Sequence, residues 1–207
     1  MDNGKRLEHI FATPILLSQR PDDTIQDLEG EQEFIQQCAD LIEPNTGGNG
    51  SSSNTEVLLG MPDLQSWIEW ELTEYWKTTI TSSGRATPRI TQSWLNYTTT
   101  GQSHHAHYHT NSIVSGVYYP LADHTTDTIT FERPRSAMLE FHQWGYNEWT
   151  TPSIHYSVAS GQLILFPSSL VHWVNTVTKP NHQRISLSFN VWYDGELGNK
   201  ENKNHLC

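Results

Sequence analysis

Two features of the sequence predict a mainly β protein, a sandwich or small barrel with helices from its N-terminal part packed on a sheet. From residue 89 onward, eight short apolar and β-branched runs alternate with turn formers, with no helix-length inserts of the kind a βαβ fold requires. Ahead of them, residues 64–80 repeat apolar side chains at helical spacing rather than in strand alternation.

The elements follow in chain order. Residues 10–17 read as a short edge strand limited by Pro14, which has no N–H to give a ladder. Residues 24–42 bring Ile25, Leu28, Phe34, Ile35, Cys38 and Ile42 near one helical face, with Glu and Gln filling much of the rest. Residues 43–55 lack apolar periodicity and are rich in Gly, Ser and Asn, which predicts an exposed, mobile loop. Pro62 and Asp63 open the clearest helix, whose stripe is Leu64, Trp67, Ile68, Leu72, Tyr75 and Trp76. Asp63 and Glu69 favour its N-terminal half and Lys77 its other end, as the helix dipole prefers. The strand runs are 89–100, 112–120, 128–134, 138–144, 153–160, 161–167, 170–177 and 184–193. Residues 1–193 read as one domain, and the polar tail 194–207 is expected to fray.

The composition bounds the partners. A chain of 207 residues suits one domain with a sizeable core; its hydrophobic fraction is only 35%, so eight Trp, eight Tyr and six Phe supply core material. The net charge of −11 argues against broad nucleic-acid affinity, which depends on neutralising phosphates. Cys38 and Cys207 are too few and too far apart for a disulfide framework and fit a reducing compartment. The apolar run after Lys5 and Arg6 is short and broken by Pro14, unlike a signal peptide, and no run approaches the roughly 20 apolar residues that cross a bilayer. A soluble cytoplasmic protein is expected, with a homodimer left open.

The most informative segment is 101–119, Gly-Gln-Ser-His-His-Ala-His-Tyr-His-Thr-Asn-Ser-Ile-Val-Ser-Gly-Val-Tyr-Tyr. If it is extended, His105, His107 and His109 share one face while His104 lies opposite. Two imidazoles on a rigid strand reach one ion, and His172, beyond the strand stopped by Pro167, is the best third ligand. His105 reads as a donor beside the metal or toward substrate. His142 and His155 lack a close partner in the sequence, and His124, His182 and His205 fall in loops or the tail.

These pieces resemble a small family of 2-oxoglutarate- and iron-dependent oxygenases of bacteria and phages. The resemblance rests on His107-Tyr108-His109, Ser115-Gly116-Val117-Tyr118-Tyr119, Phe131-Glu132-Arg133-Pro134-Arg135, the Gly161–Ser168 run, His172, and Arg184-Ile185-Ser186-Leu187-Ser188-Phe189-Asn190. It implies a double-stranded β-helix, or jelly roll, of the cupin-like kind, with Fe(II) held by His107, His109 and His172. His109 stands where the wider superfamily commonly places a carboxylate. The resemblance further implies that Arg184 and Ser186 hold the distal carboxylate of 2-oxoglutarate. A planar donor fork and a hydroxyl two residues along one strand face fit that task. A Tyr, either Tyr118 or Tyr119, adds a further bond. Asn190 shares the alternating face without an assigned role, and Arg135 supports a turn or meets substrate.

The implied reaction consumes molecular oxygen, releases succinate and CO2, and hydroxylates a small-molecule or peptide substrate. Tyr108, Trp144, Tyr146, Trp149 and Trp173 are candidates for the mouth of the site. Two other readings stand beside it. A cupin-like metalloenzyme without 2-oxoglutarate shares the Gly101…His107-x-His109 and Gly161…His172 spacing but expects a Glu that is missing between Thr110 and Gly116. A non-enzymatic jelly-roll binding protein would keep a degenerate metal pocket.

Overall fold

The computed structural model describes residues 12–39, 42–44, 49–52, 54–81, 84–134, 147 and 150–206. Among them the chain runs β1 (Leu16–Gln19), α1 (Leu28–Ala39), β2 (Ile42–Pro44), β3 (Gly50–Ser52), α2 (Pro62–Thr79), β4 (Ala86–Thr99), β5 (His104–His107), β6 (Val114–Leu121), β7 (Thr128–Glu132), β8 (Ser153–Ser157), β9 (Gln162–Pro167), β10 (His172–Val174), β11 (Gln183–Leu197) and β12 (Asn204–Leu206). The sequence-predicted strand 138–144, with His142 and Trp144, lies outside the described residues, as do Arg135, Tyr146, Trp149 and Cys207.

The strands form two antiparallel sheets, the jelly-roll arrangement. The larger has the order β1-β9-β6-β11-β4-β3-β2, with β12 paired to β11, and the smaller the order β5-β10-β7-β8. Alternation along the central strands of the larger sheet separates two environments. Leu95, Tyr97, Tyr118, Leu163, Leu165, Leu187 and Phe189 face the helices, where they meet Trp67, Ile68, Leu72 and Trp76 of α2. Val117, Tyr119, Ile164 and Phe166 face the smaller sheet and pack on Ile129 and Phe131. At the β4 and β11 end the inward positions are polar instead: Asn96, Thr98, Arg184, Ser186 and Asn190 are all buried. Burying such groups is costly unless they are bonded or used, so this end of the inner face is where function is expected.

The helical layer is tied down by directional bonds. The Trp76 indole donates to the Ala86 carbonyl at 3.1 Å, and the Tyr97 hydroxyl donates to the Ile35 carbonyl at 2.7 Å. Pro62 sits in the first turn of α2, where its missing N–H costs nothing. Arg20 forks onto Glu31 of α1 at 2.7 and 2.9 Å, both residues buried. No helix among the described residues is long and apolar enough to cross a membrane.

Three elements differ from the sequence expectation. The first helix is shorter than 24–42, because Ile42 already belongs to a strand. Part of the expected loop 43–55 is ordered: β2 and β3 form a hairpin whose Gly50 and Ser51 pair with Tyr97 and Asn96. Its hydrogen bonds come from the backbone, which a polar, turn-rich sequence supplies as readily as an apolar one. The tail is also held in part. β11 continues through Leu197, and β12 pairs back onto Gly195–Leu197.

Candidate metal centre

The centre begins with an irregularity in β5. His107 lies opposite His172 and His104 opposite Val174, so three steps on β5 span two on β10. Such a β-bulge breaks the period-two alternation of the strand. His104 and His107 therefore both line the same inner cavity, while His105 is exposed and borders an outer groove with Trp173 and Asn175. This corrects the expectation that His105 shares the face of His107 with His104 opposite. His109 lies beyond the end of β5, where its backbone N–H donates to the Ser168 carbonyl at 2.9 Å.

His107, His109 and His172 offer ring nitrogens that all lie within 4.8 Å of one another. His107 Nδ1 lies 2.8 Å from the His105 carbonyl and His172 Nδ1 2.9 Å from the Leu170 carbonyl. A carbonyl only accepts, so each Nδ1 carries the proton and donates it. Each Nε2 is left with a lone pair, the form a metal requires. Burial pushes His172 down to about 3, and burial together with His107 pushes His109 down to about 4. His107 is lowered by burial as well. All three are neutral near pH 7, so no proton has to leave before an ion binds. Phe166 stands edge-on to the His172 ring at 4.7 Å and dries that side.

The same cavity, of about 50 Å³, is lined further along by Tyr119, Arg184 and Ser186. Arg184 is 2% exposed; its Nη2 donates to Thr98 Oγ1 at 3.1 Å, while its buried Nε has no partner. A buried cationic N–H without an acceptor suits a ligand carboxylate. Burial raises the Tyr119 hydroxyl above its usual range, so it stays a donor at neutral pH. Tyr118 is a correction: next in an alternating strand, it turns to the helical side and meets the Trp67 ring edge-on at 6.0 Å.

Sequence reasoning missed two residues here. Asn49, expected in a mobile loop, is 1% exposed, lines the cavity, and approaches His104 Nδ1 at 3.5 Å; its Oδ1 has no partner. Trp94 sets its ring 5.9 Å from that of His109. The inward polar alternation of β4 could have flagged Trp94; nothing in the Gly/Ser/Asn run distinguishes Asn49. Among the mouth candidates, Tyr108 is exposed and Trp173 borders the outer groove, its indole donating to Asn175 Oδ1 at 3.0 Å.

Residues 92–190 match the family described as "Putative 2OG-Fe(II) oxygenase". No curated protein matches the chain. Among solved structures, a 2OG-Fe(II) oxygenase family oxidoreductase from Burkholderia pseudomallei is similar at 15% identity and TM-score 0.54, over 86% of this chain and 83% of that one. The non-haem α-ketoglutarate-dependent carbocyclase SnoK of nogalamycin biosynthesis aligns at 12% identity and TM-score 0.59, over 89% and 81%. A prolyl hydroxylase from Trichoplax adhaerens, in complex with a hypoxia-inducible-factor peptide fragment, aligns at 11% identity and TM-score 0.56, over 86% and 82%.

Proposed function

We propose that this chain, whose residues 92–190 match the putative 2OG-Fe(II) oxygenase family, is an oxygenase in which His107, His109 and His172 hold the iron, and that it hydroxylates a small-molecule or peptide substrate. One observation carries the reading. Three neutral imidazoles, two of them locked with Nε2 free, share a cavity with a buried arginine whose Nε lacks an acceptor. The donor set fits the group: imidazole suits Fe(II), and three ligands leave positions open. Iron held there would supply the oxidative chemistry with molecular oxygen as the oxidant, one oxygen atom going to succinate as 2-oxoglutarate loses CO2 and the other to the substrate C–H bond.

The protein's own residues bind and orient. Arg184 and Ser186 hold the distal carboxylate of 2-oxoglutarate, with Thr98 fixing the guanidinium and Tyr119 adding a hydroxyl donor. Val117, Ile129 and Phe166 exclude water from the inner wall. Asn49 Oδ1 meets no donor on 2-oxoglutarate, which has only acceptors, so it is available to an N–H or O–H of the substrate. The motif set of the small bacterial and phage family supports the same roles. The acidic surface and the free thiol of buried Cys38 favour a cytoplasmic enzyme that does not act on nucleic acid.

The test is anaerobic titration of the Fe(II) protein with 2-oxoglutarate, followed by its metal-to-ligand absorption band. A band that appears in the native protein and is lost in Arg184→Ala supports both assignments. Iron that binds but gives no band with 2-oxoglutarate would sink the mechanism.

A further inference from the structure

We infer that Ser115, Ser168 and Asn190 are positioning residues that hold His109 in the metal centre, an inference that rests on His109 being a ligand. His107 and His172 sit in paired strands and are each braced through Nδ1. His109 lies outside any strand, in a turn where Asn111 adopts a positive φ of 55°. Its backbone is tied by the Ser168 carbonyl at 2.9 Å, and Ser168 in turn donates its N–H to the Ile113 carbonyl at 3.1 Å. Ser168 thus clamps both ends of the turn that carries His109.

What fixes Ser168 is a buried chain of hydroxyls. Its Oγ donates to Ser112 Oγ at 2.8 Å and lies 2.8 Å from Ser115 Oγ. Ser115 donates to Asn190 Oδ1 at 3.0 Å, and Asn190 Nδ2 donates to Gln92 Oε1 at 3.3 Å. Ser112 completes the chain by donating to the Val114 carbonyl at 2.9 Å. Ser115 and Ser168 are at most 1% exposed and Asn190 is 7% exposed. Alanine would fill the serine positions without any demand for bonding partners. A fully bonded polar cluster at such places gives direction rather than burial energy. The cluster joins β6, the end of β9 and β11, so the turn is registered against three strands at once. It also gives a common task to motif residues that touch neither an ion nor a carboxylate.

The test uses Co(II) as the probe and its visible absorption as the readout, on the full chain with Ser168→Ala, Asn190→Ser, His109→Ala and the Ser168→Ala/His109→Ala double variant. Ser168→Ala and Asn190→Ser are expected to weaken Co(II) binding about tenfold, the low end for residues supporting a ligand, and to move the bands toward those of His109→Ala. Ser168→Ala is expected to add no further loss on the His109→Ala background, because its effect passes through that ring. Native bands and affinity in both single variants would overturn the inference, and so would an equal loss on either background, which marks a merely structural role. A native protein that fails to bind Co(II) would overturn the three-imidazole reading itself; native binding without a serine effect overturns only the positioning role. If Ser168→Ala does not fold, Asn190→Ser alone decides by the same bands.

Discussion

His107 and His172 are braced by the same local device: each donates Nδ1–H to the carbonyl two residues before it in its own chain, at 2.8 and 2.9 Å. Their rings stand 4.3 Å apart across the β5–β10 pair, centroid to centroid. The brace needs no second side chain, so the orientation of these rings is a property of strand backbone. Either residue changed to Ala is expected to lower Co(II) affinity by more than about 100-fold, beyond what loss of a supporting partner costs. Chelator-competition titration of the folded variants measures it, and near-native affinity in His172→Ala would contradict the assignment.

Arg184 gives a second expectation. Its guanidinium is buried and its Nε is unpaired, so truncation removes the one fixed cation that lines the cavity among the described residues. Arg184→Ala should weaken 2-oxoglutarate about 100-fold in the anaerobic titration, in line with a cost of about 2–5 kcal/mol for truncating a buried charged partner. Co(II) affinity without 2-oxoglutarate should stay native. Arg184→Lys should recover only part of the binding, since an ammonium cannot reproduce the planar fork.

The metal-free protein should lose stability as the medium is acidified. His109 is held down to about 4 and His172 to about 3, both chiefly by burial, whereas the unfolded chain titrates near 6.5. Between about pH 6.5 and 4 the unfolded state therefore binds more protons than the folded state, and stability rises with pH across that window. Urea midpoints measured with a chelator present should be lower at pH 5 than at pH 7. Added metal, which binds the neutral imidazoles, should raise the pH 7 midpoint. A midpoint that increases on going from pH 7 to pH 5 would contradict the sign.

Gly116 should tolerate no side chain. A Cβ there would stand 2.1 Å from the Phe189 ring, which is fully buried and has nowhere to move. Gly116→Ala is expected to destabilise by about 1–3 kcal/mol, the usual range for overpacking, as a shift of the urea midpoint.

Glu31 should matter to the fold and not to the centre. Removing it leaves the buried Arg20 without its counter-charge, with its bonds to Thr24 remaining, and Glu31→Ala is expected to cost about 3–5 kcal/mol. Co(II) affinity of the folded fraction should be unchanged, which separates the helical layer from the site.

The sequence made the strand-rich half, α2 and the pairing of His107 with His109 legible, because each rests on a local period or a short spacing; that His172 joins them follows from the strand-end context after Pro167. It mislaid the face of His104 because alternation holds only where a ladder is regular, and the partner strand β10 lies about 65 residues away. Tyr118 and Tyr119 could not be told apart in a run apolar on both faces, since both sides of the larger sheet are covered here. Asn49 and the Asp127–His182 contact, at 2.8 Å, were hidden for a different reason. Each depends on a loop folding back on residues remote in the chain, which composition does not encode.

The bulge in β5 makes the inner wall beside the three imidazoles depend on pairing register more than on residue identity. His104 and His107 lie an odd number of positions apart, so a regular ladder would turn one of the two outward with every side chain still present in the sequence. Losing Ala106 would regularise the pairing and still keep both rings inward, because positions two apart share a face. Which imidazoles reach the cavity is therefore written in the spacing between them.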